Sequence, residues 1–250
     1  MIREEKLFNK INFIGKGGDF SCDLTKRSFF LVHEGWLYIF EPNYDAFMFY
    51  MRSERLRKYR NIVFCISHTH DDAMNGINSF LSCIHDRGEH EAKVYIITRV
   101  DDVIKTLVAS GVYPQYMKNT HVVHELINTA SLDIITVDMT HGEFDSCGFL
   151  VNDRESTTND NIFYTGDCDS IPALIMRRFV DGSIKGLISD VTLEYPCPDH
   201  VSFKFFKDLV SVAGTDILNR IKFVHFRNEY EFTTINEAVE RMIFNNLKVD

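Results

Sequence analysis

The 250 residues contain no uninterrupted apolar run of the roughly 18 residues that mark a membrane-spanning helix, and the opening Met1 to Lys6 is polar, without the apolar core of a signal peptide. A cytoplasmic protein that does not enter membranes is therefore expected. Cys-x-x-Cys pairs are also missing. Cys22, Cys65, Cys83, Cys147, Cys168 and Cys197 are scattered, which excludes a tight disulfide or zinc-finger framework and reads as reduced, mostly buried thiols. Positive charge is in deficit, with Lys+Arg at 27 against Asp+Glu at 36, and the net charge of -9 weighs against an extended nucleic-acid partner. The turn Gly15-Lys16-Gly17-Gly18 lacks the Gly-Lys-Ser/Thr ending of a phosphate-binding loop. No repeat, low-complexity stretch or Pro/Ser-rich linker divides the chain, so residues 1–250 read as one domain.

What is present is an ordinary globular composition, 45% hydrophobic and 25% charged, arranged as short apolar runs between helical patterns. Strands are expected at Lys10 to Ile14, Ser28 to Val32, Trp36 to Phe40, Ile62 to Ile66, Lys93 to Thr98, Leu132 to Val137, Cys147 to Val151, Asn161 to Thr165, Lys185 to Val191 and Ile221 to Val224. Helices are expected at Asn43 to Arg60, Ala73 to Ile84, Val100 to Gly111, Ile171 to Phe179, Phe203 to Val212 and Ile235 to Leu247, with a linker at Tyr113 to Lys118. The pattern is α/β, and in open α/β architectures chemistry gathers where strands end.

The strand Ile62 to Ile66 ends on Ser67, His68, Thr69, His70, Asp71 and Asp72. His68 and His70 alternate on an extended segment, so both imidazoles can point to one side, and Asp72 adds a hard oxygen; that set suits zinc or a similar divalent ion. The same arrangement recurs down the chain. His141 follows the strand Leu132 to Val137, Asp167 follows Asn161 to Thr165 across Gly166, and His225 follows Ile221 to Val224. An Asp in such a turn is suited to bridge two metal ions. Cys168 beside it reads as a small buried hydrophobe. His121 and His124 have no acidic or thiol companions and read as structural or exposed, and His33, in the hairpin turn His33-Glu34-Gly35, reads as a turn or surface residue. The basic residues of Asn43 to Arg60 form a solvated helix face.

Taken together, His68-x-His70-x-Asp72, His141, Asp167 and His225 resemble the metallo-β-lactamase fold superfamily, which implies a four-layer αββα sandwich with its metal site along one edge of two sheets. Within it, the Gly-rich opening at Phe13 to Gly18, Thr165-Gly166-Asp167 and His200-Val201-Ser202 are most similar to the RNase Z-like phosphodiesterases. Cyclic-nucleotide phosphodiesterases, phage enzymes against cyclic-nucleotide signalling among them, share this frame. One departure stands out: Ala73 occupies the position after Asp72 where that group has a second His. The resemblance implies one Zn²⁺ site at His68, His70 and His141 with Asp167 bridging. It implies a second, weakened one at Asp72, Asp167 and His225, where Mn²⁺ competes.

The implied chemistry is phosphodiester hydrolysis, in which Asp72 or Asp167 accepts a proton from water and His200 protonates the leaving ribose oxygen. Ser202, Arg227 and Asn228 are candidates for substrate contact, and a structural role is the alternative for each. The short segment Asn152 to Asn161 leaves no room for the long tRNA-gripping arm of the tRNA-maturing enzymes, and so a small cyclic nucleotide is the expected substrate, possible homodimerisation being a further implication. The alternatives are a tRNA 3′-end endoribonuclease, a lactone or thioester hydrolase, and a weak or inactive protein that sequesters a nucleotide, Ala73 being its first sign.

Overall fold

Alternating burial along the strands decides how the layers stack. The computed structural model describes residues 6–19, 21–86, 92–109, 120–129, 131–157 and 159–246. Its elements, in chain order, are α1 (Leu7–Lys10), β1 (Asn12–Gly15), β2 (Ser28–His33), β3 (Trp36–Phe40), α2 (Tyr44–Arg52), β4 (Asn61–Cys65), α3 (Asp71–Met74), α4 (Ile77–Asp86), β5 (Lys93–Ile97) and α5 (Asp101–Ala109). They continue as β6 (Thr120–Val123), β7 (Leu126–Asn128), β8 (Leu132–His141), β9 (Phe144–Asp153), β10 (Asn161–Tyr164), α6 (Ala173–Val180), β11 (Gly186–Asp190), α7 (Phe203–Ala213), β12 (Ile221–Val224) and α8 (Glu229–Asn246).

The strands form two sheets, β1 to β6 in sequence order and β12 to β7 in the reverse order. Each sheet begins as an antiparallel meander and ends in three parallel pairings or two, β3 through β6 in the first and β10 through β12 in the second. Parallel neighbours need a crossover, and here most crossovers are helical, so helices cover the outer faces. Val63 and Cys65 of β4 turn inward against Phe149, Tyr164 and Val224 of the facing sheet. Ile62 and Phe64 turn outward under Tyr50 of α2, Phe80 of α4 and Leu107 of α5. On the far side Phe163, Leu187 and Phe223 meet Phe179 of α6 and Phe206 of α7. The result is the expected αββα sandwich.

The boundaries differ from the sequence pattern in instructive places. The residues at Lys10 to Ile14 split into the end of α1 and a strand that starts at Asn12. The long helix expected to Arg60 stops at Arg52, where Ser53 caps it, and a single 3₁₀ turn at Leu56–Lys58 follows. The helix expected from Ala73 starts at Asp71 and breaks in two at Asn75 and Gly76, where a Cβ on Gly76 would lie 2.2 Å from the Asn43 carbonyl oxygen. Strands β8 and β9 each run ten residues, so His141 is the last residue of β8 rather than a residue beyond it. Helix α8 starts at Glu229, six positions earlier than its apolar pattern begins. The linker at 113–118 lies outside the described residues.

Candidate metal centre

Five segments meet at one edge of the sandwich. The loop after β4 carries His68, His70 and Asp72; β8 ends on His141; the turn after β10 carries Asp167; the segment before α7 carries His200; and His225 follows β12. The imidazoles of His68, His70 and His141 form a triangle with ring centroids 4.6, 5.2 and 5.2 Å apart. His68, His70, His141 and Asp167 each offer a ligand atom within 4.8 Å of the others, and Asp167, His200 and His225 form a second such group. Asp167 is the shared member. Its Oδ2 lies 3.4 Å from His68 Nε2, 4.0 Å from His141 Nε2 and 3.4 Å from His225 Nε2.

The backbone holds this geometry by particular contacts. His70 sits as the residue before α3 in extended conformation, with its side chain making no capping bond and so left for other use. His225 adopts φ 68, a left-handed conformation that is costly for a His and is sustained only by its surroundings. Those surroundings are the Gly-rich turn, since Gly18 N–H donates to Phe226 O at 2.8 Å and Phe226 N–H to Lys16 O at 3.0 Å. Ser67 O accepts from Cys147 N–H at 2.9 Å and ties the first sheet's loop to the second sheet.

Protonation fits cation binding. Burial pushes the His68 pKa down to about 3, so its imidazole is neutral. Burial also lowers His70, with His141 acting in the same sense. His68 Nδ1 is hydrogen-bonded to Ser67 Oγ at 2.8 Å, and His141 Nδ1–H is engaged by the Asp199 carbonyl at 2.7 Å. Each therefore turns Nε2 toward the cluster, as metal-ligating histidines do. His68 Nε2 and Asp167 Oδ2 are buried and have no hydrogen-bond partner. A buried polar atom without a partner is costly. Three imidazoles and a carboxylate aimed at one point thus fit a divalent ion such as zinc.

Two residues that sequence reasoning missed shape the site. Arg27, 1% exposed, inserts its guanidinium among the carboxylates: Nη1 pairs with Asp167 Oδ1 and lies 3.4 Å from Asp72 Oδ2. Burial opposes ionisation of Asp167 and Asp72, but Arg27 outweighs it and holds both carboxyl groups below the usual range. Asp190, fully buried at the end of β11, accepts from His200 Nδ1–H at 2.9 Å. Burial alone would lower the His200 pKa, yet the Asp190 hydrogen bond and the Asp167 charge prevail and raise it. The only signal of either in the sequence was position, Arg27 before β2 and Asp190 at a strand end. The Cys168 thiol is fully buried and lies 3.5 Å from Asp190 Oδ1.

The other sequence candidates are placed unequally. Asp72 is fully buried, belongs to neither ligand group, and sets its Oδ2 3.3 Å from His225 Nε2 and 3.4 Å from Arg27. Its carboxylate thus faces both the His225 imidazole and the Arg27 guanidinium. Arg227 lines the site cavity, with Nη1 2.5 Å from Glu194. Asn228 instead caps α8, its Oδ1 accepting from Glu231 N–H at 2.9 Å, and it does not line that cavity. Ser202 caps α7 by accepting from Lys204 N–H, and also lines a neighbouring cavity.

No family model and no curated protein matches the sequence. Solved structures do match the architecture. Human tRNase Z, short form, superposes with TM-score 0.65 over 88% of this chain and 93% of that one at 16% identity. A diphosphatase of the PhnP family gives 0.64 over 86% of each chain at 20% identity. The metallo-β-lactamase fold protein YhfI of Bacillus subtilis gives 0.65 over 93% and 92% at 13% identity. The chain has the metallo-β-lactamase fold. In that fold's terms, the His/Asp cluster lies at the common edge of its two sheets, where the loops from both converge. Among the described residues no helix is long and apolar enough to cross a membrane.

Proposed function

We propose that the protein is a metal-dependent phosphodiesterase acting on a small phosphodiester, with a cyclic nucleotide as substrate and zinc as the ion. The observation that carries this reading is the position of His200. It lines a cavity of about 240 Å³ together with His70, His141, Asp167 and His225, and it also lines a second cavity of about 220 Å³ together with Ile171, Tyr195, Val201, Ser202 and Phe205. The first is charged and metal-competent. The second is mainly apolar and has the aromatic edges that a nucleobase stacks on. A phosphate in the first cavity and a nucleoside in the second would put the bond to be broken beside His200.

A divalent ion bound by His68, His70, His141 and Asp167 would supply an acidified water and neutralise phosphoryl charge. The chain's own residues do the rest. Asp167, with Oδ1 engaged by Arg27, keeps Oδ2 toward the site. Asp190 fixes the His200 tautomer with the proton on Nδ1 and stabilises the imidazolium, so that Nε2 can deliver a proton to a departing ribose oxygen. Arg227 stands at the cavity wall, ready to meet a phosphoryl oxygen. The PhnP-family protein is by its name a diphosphatase and the human protein a tRNase, which agrees with phosphoryl chemistry. Against tRNA stand the net charge of -9 and the short connection from Asp153 to Asn161 between β9 and β10.

The test is turnover of a panel of 3′,5′-cyclic nucleotides and of bis(p-nitrophenyl) phosphate, with zinc, with chelator and with His68→Ala. Metal-dependent hydrolysis that His68→Ala abolishes is expected. His200→Ala should lose roughly 10²-fold or more on the cyclic nucleotides, whose alkoxide needs a proton, and far less on the nitrophenyl ester, whose leaving group does not. Equal losses on both would remove His200 from that role. Silence on every substrate, with a cyclic nucleotide recovered intact from a tight complex, would make the protein a nucleotide-sequestering module.

A further inference from the structure

We infer that Arg27 is a built-in cation standing where a second metal ion would sit, so that the centre is mononuclear. The inference rests on the metal centre proposed above. Asp72, Asp167 and His225 converge as a second ligand set would, with His225 Nε2 3.3 Å from Asp72 Oδ2 and 3.4 Å from Asp167 Oδ2. Yet the space beside both carboxylates holds the Arg27 guanidinium, whose side chain is 2% exposed. The next position after Asp72 offers no ligand atom, because the buried side chain of Ala73 is a methyl group. The two halves of the cluster therefore differ in kind. At the first, His68 Nε2 and Asp167 Oδ2 point at each other without hydrogen-bond partners. At the second, both Asp72 oxygens also lack a hydrogen-bond partner, but there the fixed positive charge of Arg27 already faces the carboxylates.

Charge balance points the same way. Asp72 and Asp167 bring two formal negative charges together, and the Arg27 guanidinium beside them cancels one. One divalent ion beside them leaves a single positive charge, whereas two would leave three positive charges beside side chains that are almost wholly buried. Uncompensated buried charge is strongly disfavoured. Arg27 is also pinned at its backbone. Its N–H donates to Gly17 O at 2.6 Å, and Asn43 Nδ2 donates both to Arg27 O at 2.6 Å and to Asp72 O at 2.7 Å. Asn43 thus clamps the Arg27 and Asp72 backbones side by side, which starts the Arg27 side chain next to the carboxylates. Arg27 is a positioning residue: it takes Asp167 Oδ1 and so assigns Oδ2 to the single ion, and it makes Asp72 a counter-ion rather than a ligand.

The test is a metal count, which does not depend on any substrate. The full chain, stripped and reloaded with a modest excess of Zn²⁺ or Mn²⁺, is measured by native mass spectrometry and by elemental analysis. One ion per chain is expected for the wild type and for Arg27→Lys, and two for Arg27→Met combined with Ala73→His, which frees the space and adds a donor. Two tightly held ions in the wild type would overturn the inference, as would a folded double variant that still holds one. If the double variant does not fold, the wild-type and Arg27→Lys counts decide alone. No ion in the wild type, by contrast, would overturn the metal centre itself.

Discussion

Glu41 is a carboxyl whose environment contradicts its charge. It follows β3 fully buried, accepts from the Tyr164 hydroxyl at 2.9 Å and from Ser67 N–H at 3.3 Å, and burial pushes its pKa up to about 7 against the pull of Arg27. A raised folded-state pKa means that the protonated form is the one the fold favours. Its contribution to stability is fully present below the ordinary carboxyl pKa of 4.5 and is lost as the pH climbs through about 7. Glu41→Gln fixes the neutral form, and the Tyr164 hydroxyl can turn to accept from the new amide. In the metal-free protein the variant is expected to match the wild type near pH 5 and to exceed it by about 3 kcal/mol above pH 8. Urea unfolding at the two pH values measures this; a difference that does not change with pH would contradict it. Residues of this kind explain what the sequence could and could not disclose. Histidines after strand ends announce themselves by local pattern, because the strand and the donor are neighbours in the chain. Arg27, Glu41 and Asp190 act through partners on other segments, and local pattern is blind to that.

At the scale of elements, the strand-end turns carry the site, and their backbone shape limits which residues they accept. Gly166, between β10 and Asp167, has φ 64, and a Cβ there would lie 2.6 Å from Ser67 Cβ and 2.7 Å from Cys147 O. The turn of one sheet is thus packed directly on the His68 loop of the other. Gly166→Ala is expected to cost about 2–4 kcal/mol, combining left-handed strain with a steric clash. It should also weaken metal affinity, because Asp167 is the next residue. Chemical denaturation together with metal titration checks both, and a variant as stable as the wild type would show that the turn can relax. Apolar strands such as β4, with Val63 and Cys65 inward and Ile62 and Phe64 outward, were legible because both faces are covered and every residue after Asn61 is apolar. The far halves of β8 and β9 were not. In β8, buried positions alternate with half-buried and exposed ones through Thr136, Asp138 and Thr140, and the polar residues hide the strand that delivers His141. The break between α3 and α4 was hidden too, since it depends on how closely Asn43 approaches Gly76.

For the molecule as a whole, the ligands are divided between its halves. His68 and His70 extend from the first sheet, His141 and Asp167 from the second, and the unfolded chain holds none of them together. An ion bound there would cross-link the two sheets at the open edge of the sandwich, at the far side from any help by the helices that cover the outer faces. Binding to the folded state alone stabilises it by mass action, by about 2.7 kcal/mol at a free concentration one hundred times the dissociation constant. For a chain of 250 residues that corresponds to a rise in Tm of roughly 5–10 °C. The same rise should disappear with chelator and in His141→Ala, whose Nδ1 contact to Asp199 is lost along with its ligand nitrogen. His121→Ala, on β6 beside Tyr95, serves as the control and should keep it. Thermal melts at matched zinc activity measure the shift. If the wild type and His141→Ala rose equally, the ion would be bound elsewhere, and the two sheets would be joined at this edge by protein contacts alone.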